Sequence, residues 1–199
     1  MLIIGVTGNI GSGKTTVSKI LEEQGAYILD ADKIARDVLA KDGPGYLETV
    51  GLFGSEILQE NGEINRGRLA DIVFGNPEKL RALNQATHKH VGQRIDDEIS
   101  KVFKNKSHDI VCLDVPLLFE SELDVICDVT WVVDADTEIK LNRAVKRGNM
   151  SRKEAELRLK LQTPSYVLKK KCDVVIENNK GYDELRQQVL SVLSELILS

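Results

Sequence analysis

Short apolar runs alternate along the chain with longer segments in which apolar residues recur every three or four positions. The runs are typical of strands buried on both faces of a parallel sheet, and they lie at residues 2–6, 26–29, 110–113, 129–133 and 174–176. Segments with helical spacing lie between several of them, at about residues 14–24, 137–146 and 182–197. Strands that alternate with helices predict an α/β fold, with helices on both faces of an open parallel sheet.

One long stretch breaks this alternation. Between about residues 33 and 104 the apolar positions fall only at helical spacing, and Pro77 suits the first turn of a longer helix. No alternation typical of a strand occurs there. We therefore expect a core made of residues 1–32 and 105–199, and a helical insertion made of residues 33–104.

The strongest chemical signal lies where the first strand meets the first helix. Residues 8–15 read G-N-I-G-S-G-K-T, which matches the phosphate-binding pattern G-x-x-x-x-G-K-[ST] at every fixed position. Glycines let the backbone curve with its N–H groups pointing inward, and the helix that follows presents its positive dipole end to an anion. The pattern predicts a P-loop of the NTPase type, in which Lys14 contacts the β- and γ-phosphates of a nucleotide and the Thr15 hydroxyl binds Mg²⁺. The predicted nucleotide contacts are Gly11, Ser12, Gly13, Lys14, Thr15 and Thr16.

Three aspartates follow predicted strands, which is where ligands bind in open α/β sheets. Asp114 ends the third strand, where an acid can hold Mg²⁺ directly or through water; the alternative is an aspartate that only forms a turn. Asp30 and Asp32 follow the second strand, where a carboxylate can accept the proton of an attacking hydroxyl. The alternative for Asp32 is that it caps a helix beginning at Lys33.

A small helical segment at about residues 137–164 has the size of a lid. Ser151 and Glu154 form a capping-box pattern, which predicts the start of its second helix, and Pro164 is predicted to end that helix. In a kinase, closure of such a lid excludes water, so that ATP is not simply hydrolysed.

Two arginines lie on the first helix of this segment. Arg143 and Arg147 are four positions apart and hence on one face, and the planar guanidinium suits phosphate oxygens. A lid arginine would neutralise charge on the transferred phosphoryl group. The alternative is a solvated basic face that these arginines share with Lys140 and Lys146.

Composition narrows the classes of function. The 199 residues carry a formal net charge of −4, which disfavours a nucleic-acid partner, because general nucleic-acid binders are usually basic. No stretch of about 18 apolar residues occurs, so we expect no membrane partner. The three cysteines are widely spaced and fit no zinc pattern, which favours a reducing compartment, and we expect a cytoplasmic protein. His88 and His90 lie two apart in a predicted helix and face different ways, so they suggest no metal site.

Several sequence pieces together carry a resemblance to a known family. They are residues 4–15 (I-G-V-T-G-N-I-G-S-G-K-T), 29–36 (L-D-A-D-K-I-A-R), 62–66 (G-E-I-N-R), 72–74 (I-V-F), 114–120 (D-V-P-L-L-F-E), 162 (Q) and 173–178 (D-V-V-I-E-N). Residues 4–15 by themselves indicate only that a nucleotide is bound, whereas residues 29–36 and 114–120 are diagnostic of one family. On these pieces the chain resembles the dephospho-coenzyme A kinase family over nearly its whole length. It departs from the family pattern at Asn9, which replaces the second glycine of T-G-G-I-G.

The resemblance implies ATP-dependent phosphorylation of the ribose 3′-hydroxyl of dephospho-coenzyme A, the final step of coenzyme A biosynthesis, with Mg²⁺ as cofactor. It implies a P-loop core, a helical domain that holds the coenzyme A portion, and a lid, and these coincide with the divisions given above. It also implies that Asp32, rather than Asp30, is the base and that Arg143 is the lid arginine. The acceptor contacts that it implies are Thr7, Arg66, His88, Leu117 and Glu120.

Other functions share part of this pattern. Another P-loop kinase, acting on a nucleoside or a nucleotide, would have the same core and lid. A GTP-driven switch usually carries an N-K-x-D motif, and residues 179–182 (N-K-G-Y) lack its aspartate. A nucleotide-binding module without catalysis is disfavoured by the intact Lys14, Thr15 and Asp32. We expect a monomer or a weak oligomer whose partners are ATP and dephospho-coenzyme A.

Overall fold

The computed structural model describes residues 1–73, 75–148 and 150–198. Phe74, which ends one of the pieces that carry the family resemblance, lies outside the described residues. The chain divides into two compact units. We call Met1–Leu29 with Lys106–Ser199 the core unit, and Asp30–Asn105 the helical unit.

The apolar runs of the sequence form one sheet. Its strands are β1 (Leu2–Thr7), β2 (Tyr27–Asp30), β3 (Ile110–Asp114), β4 (Val129–Asp134) and β5 (Val174–Glu177). They form a five-stranded sheet in the order β2-β3-β1-β4-β5. β1 pairs in parallel with β3 and β4, so that Ile4 lies opposite Cys112 and Val129, and β4 pairs in parallel with β5. Every residue of β3 and β4 is buried, as expected for strands covered on both faces.

The helices carry most of the rest of the described chain. In chain order they are α1 (Lys14–Glu23), α2 (Ala31–Val38), α3 (Pro44–Phe53), α4 (Arg66–Val73), α5 (Pro77–Asn105), α6 (Thr137–Lys146), α7 (Arg152–Leu161), α8 (Ser165–Lys171) and α9 (Tyr182–Leu198). Short 3-10 turns lie at Ser55–Ile57 and Leu123–Ile126. Within the described ranges, none of these helices is both long enough and apolar enough to cross a membrane.

The main core lies between one face of the sheet and the helices α1 and α9. The predicted apolar face of α1, formed by Val17, Ile20 and Leu21, is fully buried in this core together with Trp131. Cys112 belongs to the same core, where burial raises the pKa of its thiol to about 12. The interpretation of Cys112 as a small buried apolar side chain is therefore confirmed.

Gly5 shows how closely the opposite face of the sheet is covered. Side chains alternate along a strand, so Gly5 faces away from the main core into which Ile4 points. A Cβ on Gly5 would lie 2.6 Å from the Cys127 sulfur and 3.0 Å from a methyl carbon of Leu118. The 3-10 turn Leu123–Ile126 also contacts β1. The sheet is thus covered on both faces, and the predicted α/β fold is confirmed.

The helical unit has a core of its own. Its longest helix, α5, spans 29 residues and contacts α2, α3 and α4. One cluster of buried apolar residues in this unit consists of Tyr46, Phe53, Ile57, Ile64, Leu69 and Val73. An isolated antiparallel bridge joins Leu58 to Ile64, and the other elements described in this unit are helical, in agreement with its apolar periodicity.

The segment after α7 differs from the prediction. Pro164 is predicted to end the second lid helix, but α7 already ends at Leu161, and Pro164 is the N-cap of a further helix, α8. Only Leu168 of α8 is buried, and a seven-residue helix with one buried apolar position shows no helical period in its sequence. The capping box of Ser151 and Glu154, by contrast, is present at the start of α7 as predicted.

We expect Ile20→Ala to lower the free energy of unfolding by about 2–5 kcal/mol, because it leaves a cavity at a fully buried position. Urea unfolding followed by circular dichroism measures this change. Lys19→Ala, at the exposed neighbouring position, is the matched control and should change the free energy by less than about 0.5 kcal/mol. Equal effects of the two substitutions would contradict the packing of α1 described above.

Candidate active site

The loop between β1 and α1 is in close contact with other parts of the core unit, most closely at two glycines. Gly11, with φ 75°, and Gly13, with φ 101°, both have a left-handed backbone. A Cβ on Gly11 would lie 2.1 Å from the carbonyl oxygen of Lys140, and one on Gly13 would lie 2.0 Å from Nδ2 of Asn178. A side chain at either position would displace α6 or Asn178, so packing and backbone conformation both require glycine.

Asn178, the first residue after β5, connects this loop to the neighbouring strand ends. Its Nδ2 donates a hydrogen bond to the carbonyl oxygen of Ser12 at 2.7 Å, and its backbone N–H donates to the carbonyl oxygen of Asp134 at 2.7 Å. Sequence reasoning assigned Asn178 no role beyond membership of a family motif. Its place directly after a strand was an available signal, because ligands bind beyond the carboxyl ends of strands in open α/β sheets.

Lys14 and Asp114, predicted to contact phosphate and metal, contact each other. Lys14 is the first residue of α1, and its Nζ pairs with Oδ1 of Asp114. The other carboxylate oxygen of Asp114 accepts a hydrogen bond from the Ser18 hydroxyl at 2.7 Å. Asp114 is buried, and a buried carboxylate requires such partners to offset its lost hydration.

The oxygen atoms near the loop fit a Mg²⁺ ion that is bound together with phosphate. Mg²⁺ prefers oxygen ligands, usually keeps several waters, and takes one or two ligands from the protein when it accompanies phosphates. Thr15 is exposed and carries a hydroxyl, and Asp114 supplies a carboxylate. In the described ranges no group of three or more His, Cys, Asp or Glu could hold a metal by itself.

Asp30 and Asp32 differ in their local roles. Asp30 is the N-cap of α2, and its carboxylate accepts a hydrogen bond from the backbone N–H of Lys33 at 2.9 Å. Asp32 lies inside the first turn of α2 and is exposed. The alternative in which Asp32 caps this helix is therefore wrong, since Asp30 occupies the capping position.

Arg143, on α6, lies beside the loop at a cavity of about 300 Å³. Its guanidinium donates to the carbonyl oxygen of Asn178 at 2.9 Å and to Oδ1 of the same residue at 3.3 Å. The cavity is bounded by Gly11, Gly13 and Thr16 of the loop and by four basic residues, Arg143, Lys146, Arg147 and Lys180. This concentration of positive charge beside the loop suits a polyanion.

Lys140 does not share a solvated face with the arginines of α6. It is only 3% exposed, and its Nζ donates to Oδ1 of Asp134 at 2.7 Å and to the Ser165 hydroxyl at 2.8 Å. Lys169 pairs with the other oxygen of Asp134 at 2.9 Å. Burial alone would raise the pKa of Asp134, but hydrogen bonds from Lys140 and Lys169 outweigh it and hold that pKa below its ordinary value. The network fastens α6 and α8 to the end of β4.

The segment between α7 and α8, residues 162–164, is hydrogen-bonded to the loop. The backbone N–H of Ile10 donates to Oε1 of Gln162 at 2.9 Å, and Nδ2 of Asn9 donates to the carbonyl oxygen of Thr163 at 3.0 Å. The Thr163 hydroxyl in turn donates to the carboxylate of Glu120. Asn9, which departs from the family pattern, thus joins the loop to the end of the predicted lid. Sequence reasoning gave Gln162 no contact.

The remaining predicted contacts lie in different parts of the chain. Thr7 is 1% exposed, and its hydroxyl donates to the carbonyl oxygen of Pro116 at 3.1 Å, so it holds the segment that follows β3. Leu117 lies on that segment with half of its surface exposed. Arg66 begins α4 and His88 lies within α5, and both are exposed residues of the helical unit.

The fold and the glycine-shaped loop define the class of this protein as a P-loop kinase. A family model described as Dephospho-CoA kinase matches residues 2–184. A dephospho-CoA kinase from Carboxydothermus hydrogenoformans is 44% identical over 97% of this chain and 93% of its own length. One from Arabidopsis thaliana is 39% identical over 98% of this chain and 84% of its own length. The chain belongs to the dephospho-CoA kinase family.

Solved structures agree with this assignment. A Thermus thermophilus protein is 34% identical, with a TM-score of 0.84 over 98% of this chain and 97% of that one. A dephospho-CoA kinase from Campylobacter jejuni is 28% identical, with a TM-score of 0.72 over 98% of this chain and 96% of that one. A shikimate kinase from Acinetobacter baumannii is 17% identical with a TM-score of 0.58, over 100% of this chain and 96% of that one, which supports the fold alone.

We expect Asp134→Asn to lower the free energy of unfolding near neutral pH, because it leaves the buried Lys140 without its carboxylate and Lys169 with Glu177 alone. A carboxyl with a lowered folded pKa adds stability above its unfolded pKa, near 3.8, and this stability is lost as pH falls through the folded pKa. The difference between the wild type and the variant should therefore be largest near pH 7 and shrink below about pH 4. Urea unfolding over this pH range measures it.

The matched control for this series is Asp136→Asn, at the exposed N-cap of α6, where asparagine is an equally good capping residue. A constant difference between Asp134→Asn and the wild type at every pH would contradict the lowered pKa of Asp134.

Proposed function

We propose that this protein transfers the γ-phosphoryl group of ATP to the ribose 3′-hydroxyl of dephospho-coenzyme A, giving coenzyme A and ADP. The observation that carries the proposal is a complete P-loop, shaped by Gly11 and Gly13, in a chain of the dephospho-CoA kinase family. The loop supports the phosphate donor, and family membership supports the acceptor. A P-loop kinase acting on a nucleoside or a nucleotide is the alternative that acceptor assays separate.

The position of the basic side chains supports ATP as the donor. Loop amides and the N-terminus of α1 bind anions through oriented N–H groups, and Arg143, Arg147 and Lys180 add charge at the adjoining cavity. In this proposal the triphosphate follows the loop and the nucleoside occupies the cavity. The proposed contacts of the triphosphate are Gly11, Ser12, Gly13, Lys14, Thr15 and Thr16.

Phosphoryl transfer is catalysed mainly by positioning and by stabilisation of charge. We assign three side chains to these tasks. Lys14 exchanges Asp114 for the β- and γ-phosphates, and Arg143 neutralises charge on the transferred group. The Asp32 carboxylate, exposed directly after β2, accepts the proton of the 3′-hydroxyl. The lid of α6 and α7 excludes water, so that the acceptor hydroxyl is the only nucleophile.

Mg²⁺, when bound, would neutralise charge on the phosphates of the nucleotide. The Thr15 hydroxyl and, through water, the Asp114 carboxylate are the groups that would hold it.

Acceptor binding is assigned to two sets of residues. Leu117 and Glu120 lie on the segment after β3, and Thr7 supports them by holding Pro116. Arg66 and His88 lie on exposed surfaces of the helical unit, which we propose binds the coenzyme A portion. A guanidinium suits the diphosphate of such an acceptor, because its planar fork of donors matches phosphate oxygens.

The decisive test of the acceptor is release of ADP by the purified protein with dephospho-coenzyme A, adenosine or AMP as the only acceptor. We expect ADP release with dephospho-coenzyme A alone. Phosphorylation of AMP without phosphorylation of dephospho-coenzyme A would decide for the nucleotide-kinase alternative.

Lys14→Ala should lower kcat by about 100-fold or more, the typical cost of removing one preorganised donor to developing charge. Steady-state kinetics with saturating ATP measures this loss. The control is Lys19→Ala on the exposed side of the same helix, for which we expect wild-type kcat. If Lys14→Ala kept more than about a tenth of wild-type kcat, Lys14 would not be the main phosphate contact.

For Asp32→Asn we expect unchanged ATP affinity and a loss of about 100-fold or more in kcat, because the amide cannot accept the hydroxyl proton. Isothermal titration with a non-hydrolysable ATP analogue gives the affinity, and ADP release gives kcat. Asp37→Asn, exposed on the same helix α2, should behave as the wild type in both assays. Retained transfer in Asp32→Asn would remove Asp32 as the base.

A further inference from the structure

We infer that Asn178 is a positioning residue, which sets the shape of the P-loop and the direction of Arg143 through the two ends of one carboxamide. The Nδ2 end donates to the Ser12 carbonyl oxygen at 2.7 Å, and the Oδ1 end accepts from the Arg143 guanidinium at 3.3 Å. The part of the inference that concerns the direction of Arg143 rests on the proposed role of that residue. The part that concerns the shape of the P-loop does not.

The bond to Ser12 determines which way a loop peptide faces. Loop carbonyl groups that turned inward would repel phosphate, whereas the Nδ2 group of Asn178 holds the Ser12 carbonyl turned toward itself. Asn178 is only 5% exposed, so water does not compete freely for this bond. Gly13, the next residue of the loop, leaves the space that the carboxamide occupies. The Asn178 carboxamide therefore packs in the space that Gly13 leaves and bonds to the neighbouring Ser12 carbonyl group.

Both terminal nitrogens of the Arg143 guanidinium are hydrogen-bonded. Arg143 donates to the backbone carbonyl oxygen of Asn178 at 2.9 Å as well as to its side chain, and to the carbonyl oxygen of Lys180 at 3.5 Å. Asn178 is itself anchored, because its N–H bonds to the end of β4 at Asp134. An arginine held in this way loses little further conformational entropy when it meets a phosphate.

Only a carboxamide of this length supplies a donor to Ser12 and an acceptor to Arg143 together. Aspartate supplies two acceptors, so Asn178→Asp keeps the contact with Arg143 and turns a carboxylate oxygen against the Ser12 carbonyl. Alanine supplies neither group. The two substitutions consequently separate the two halves of the inference.

We expect Asn178→Asp to raise the KM for ATP about tenfold, the size of one lost buried hydrogen bond, with kcat within about threefold of the wild type. Asn178→Ala should raise the KM for ATP similarly and also lower kcat about tenfold, because Arg143 loses a side-chain acceptor. Steady-state kinetics at varied ATP separates these changes, and thermal unfolding verifies that each variant is folded.

Asn179→Asp is the matched control, because it adds the same negative charge one residue further on. Oδ1 of Asn179 accepts from the backbone N–H of Asp136 at 2.7 Å, and aspartate keeps that acceptor. We expect wild-type KM and kcat for this variant. An equal rise in the KM for ATP in Asn179→Asp and Asn178→Asp would overturn the inference in favour of a general charge effect.

A double-mutant cycle tests the link to Arg143. Arg143→Ala should lower kcat by a smaller factor in the Asn178→Ala background than in the wild type, since the positioned guanidinium is already disturbed there. Equal factors in the two backgrounds would overturn this half of the inference. Unchanged kcat in Arg143→Ala itself would instead refute the proposed catalytic role of Arg143. In that case the KM for ATP of Asn178→Asp would still decide whether Asn178 sets the shape of the P-loop.

Discussion

The P-loop keeps its shape because main-chain and amide groups from elsewhere in the core unit press against it where no side chain intervenes. At Gly11 the neighbour is the carbonyl group of Lys140, and at Gly13 it is the carboxamide of Asn178. Lys140 is in turn fixed by its buried pair with Asp134 at the end of β4. The phosphate site is therefore a joint property of the loop, the first turns of α6 and the ends of two strands, and its geometry is as stable as their packing.

The parts of this architecture that follow from local rules could be predicted from the sequence. The five apolar runs became the five strands, and the signal is strongest for β3 and β4, where every residue is buried. The apolar face of α1, with Ile20 at its centre, follows from helical spacing alone. The P-loop could be recognised in the sequence because backbone geometry and phosphate chemistry require its fixed residues. These requirements depend little on the rest of the fold.

The parts that were missed depend on partners distant in the chain. Lys140 has the spacing of a surface residue on the face of Arg143, and only the fold brings it to Asp134 in a buried network. Asn178 and Gln162 reach the loop across more than 150 positions of sequence, at Ser12 and Ile10, so nothing near them in the chain marks their contacts. The cap of α2 is a local contact, and the sequence left open whether Asp32 was the cap, because a shift of two residues in a predicted helix start exchanges the roles of Asp30 and Asp32.

The network around Asp134 also couples two segments of the core unit. One carboxylate holds α6 through Lys140 and the segment after α7 through Ser165 and Lys169. Because these attachments share one group, none of them can be released from Asp134 without leaving charge there less well balanced. Both segments are therefore tied to the sheet at a single point, and a change at that point loosens them together.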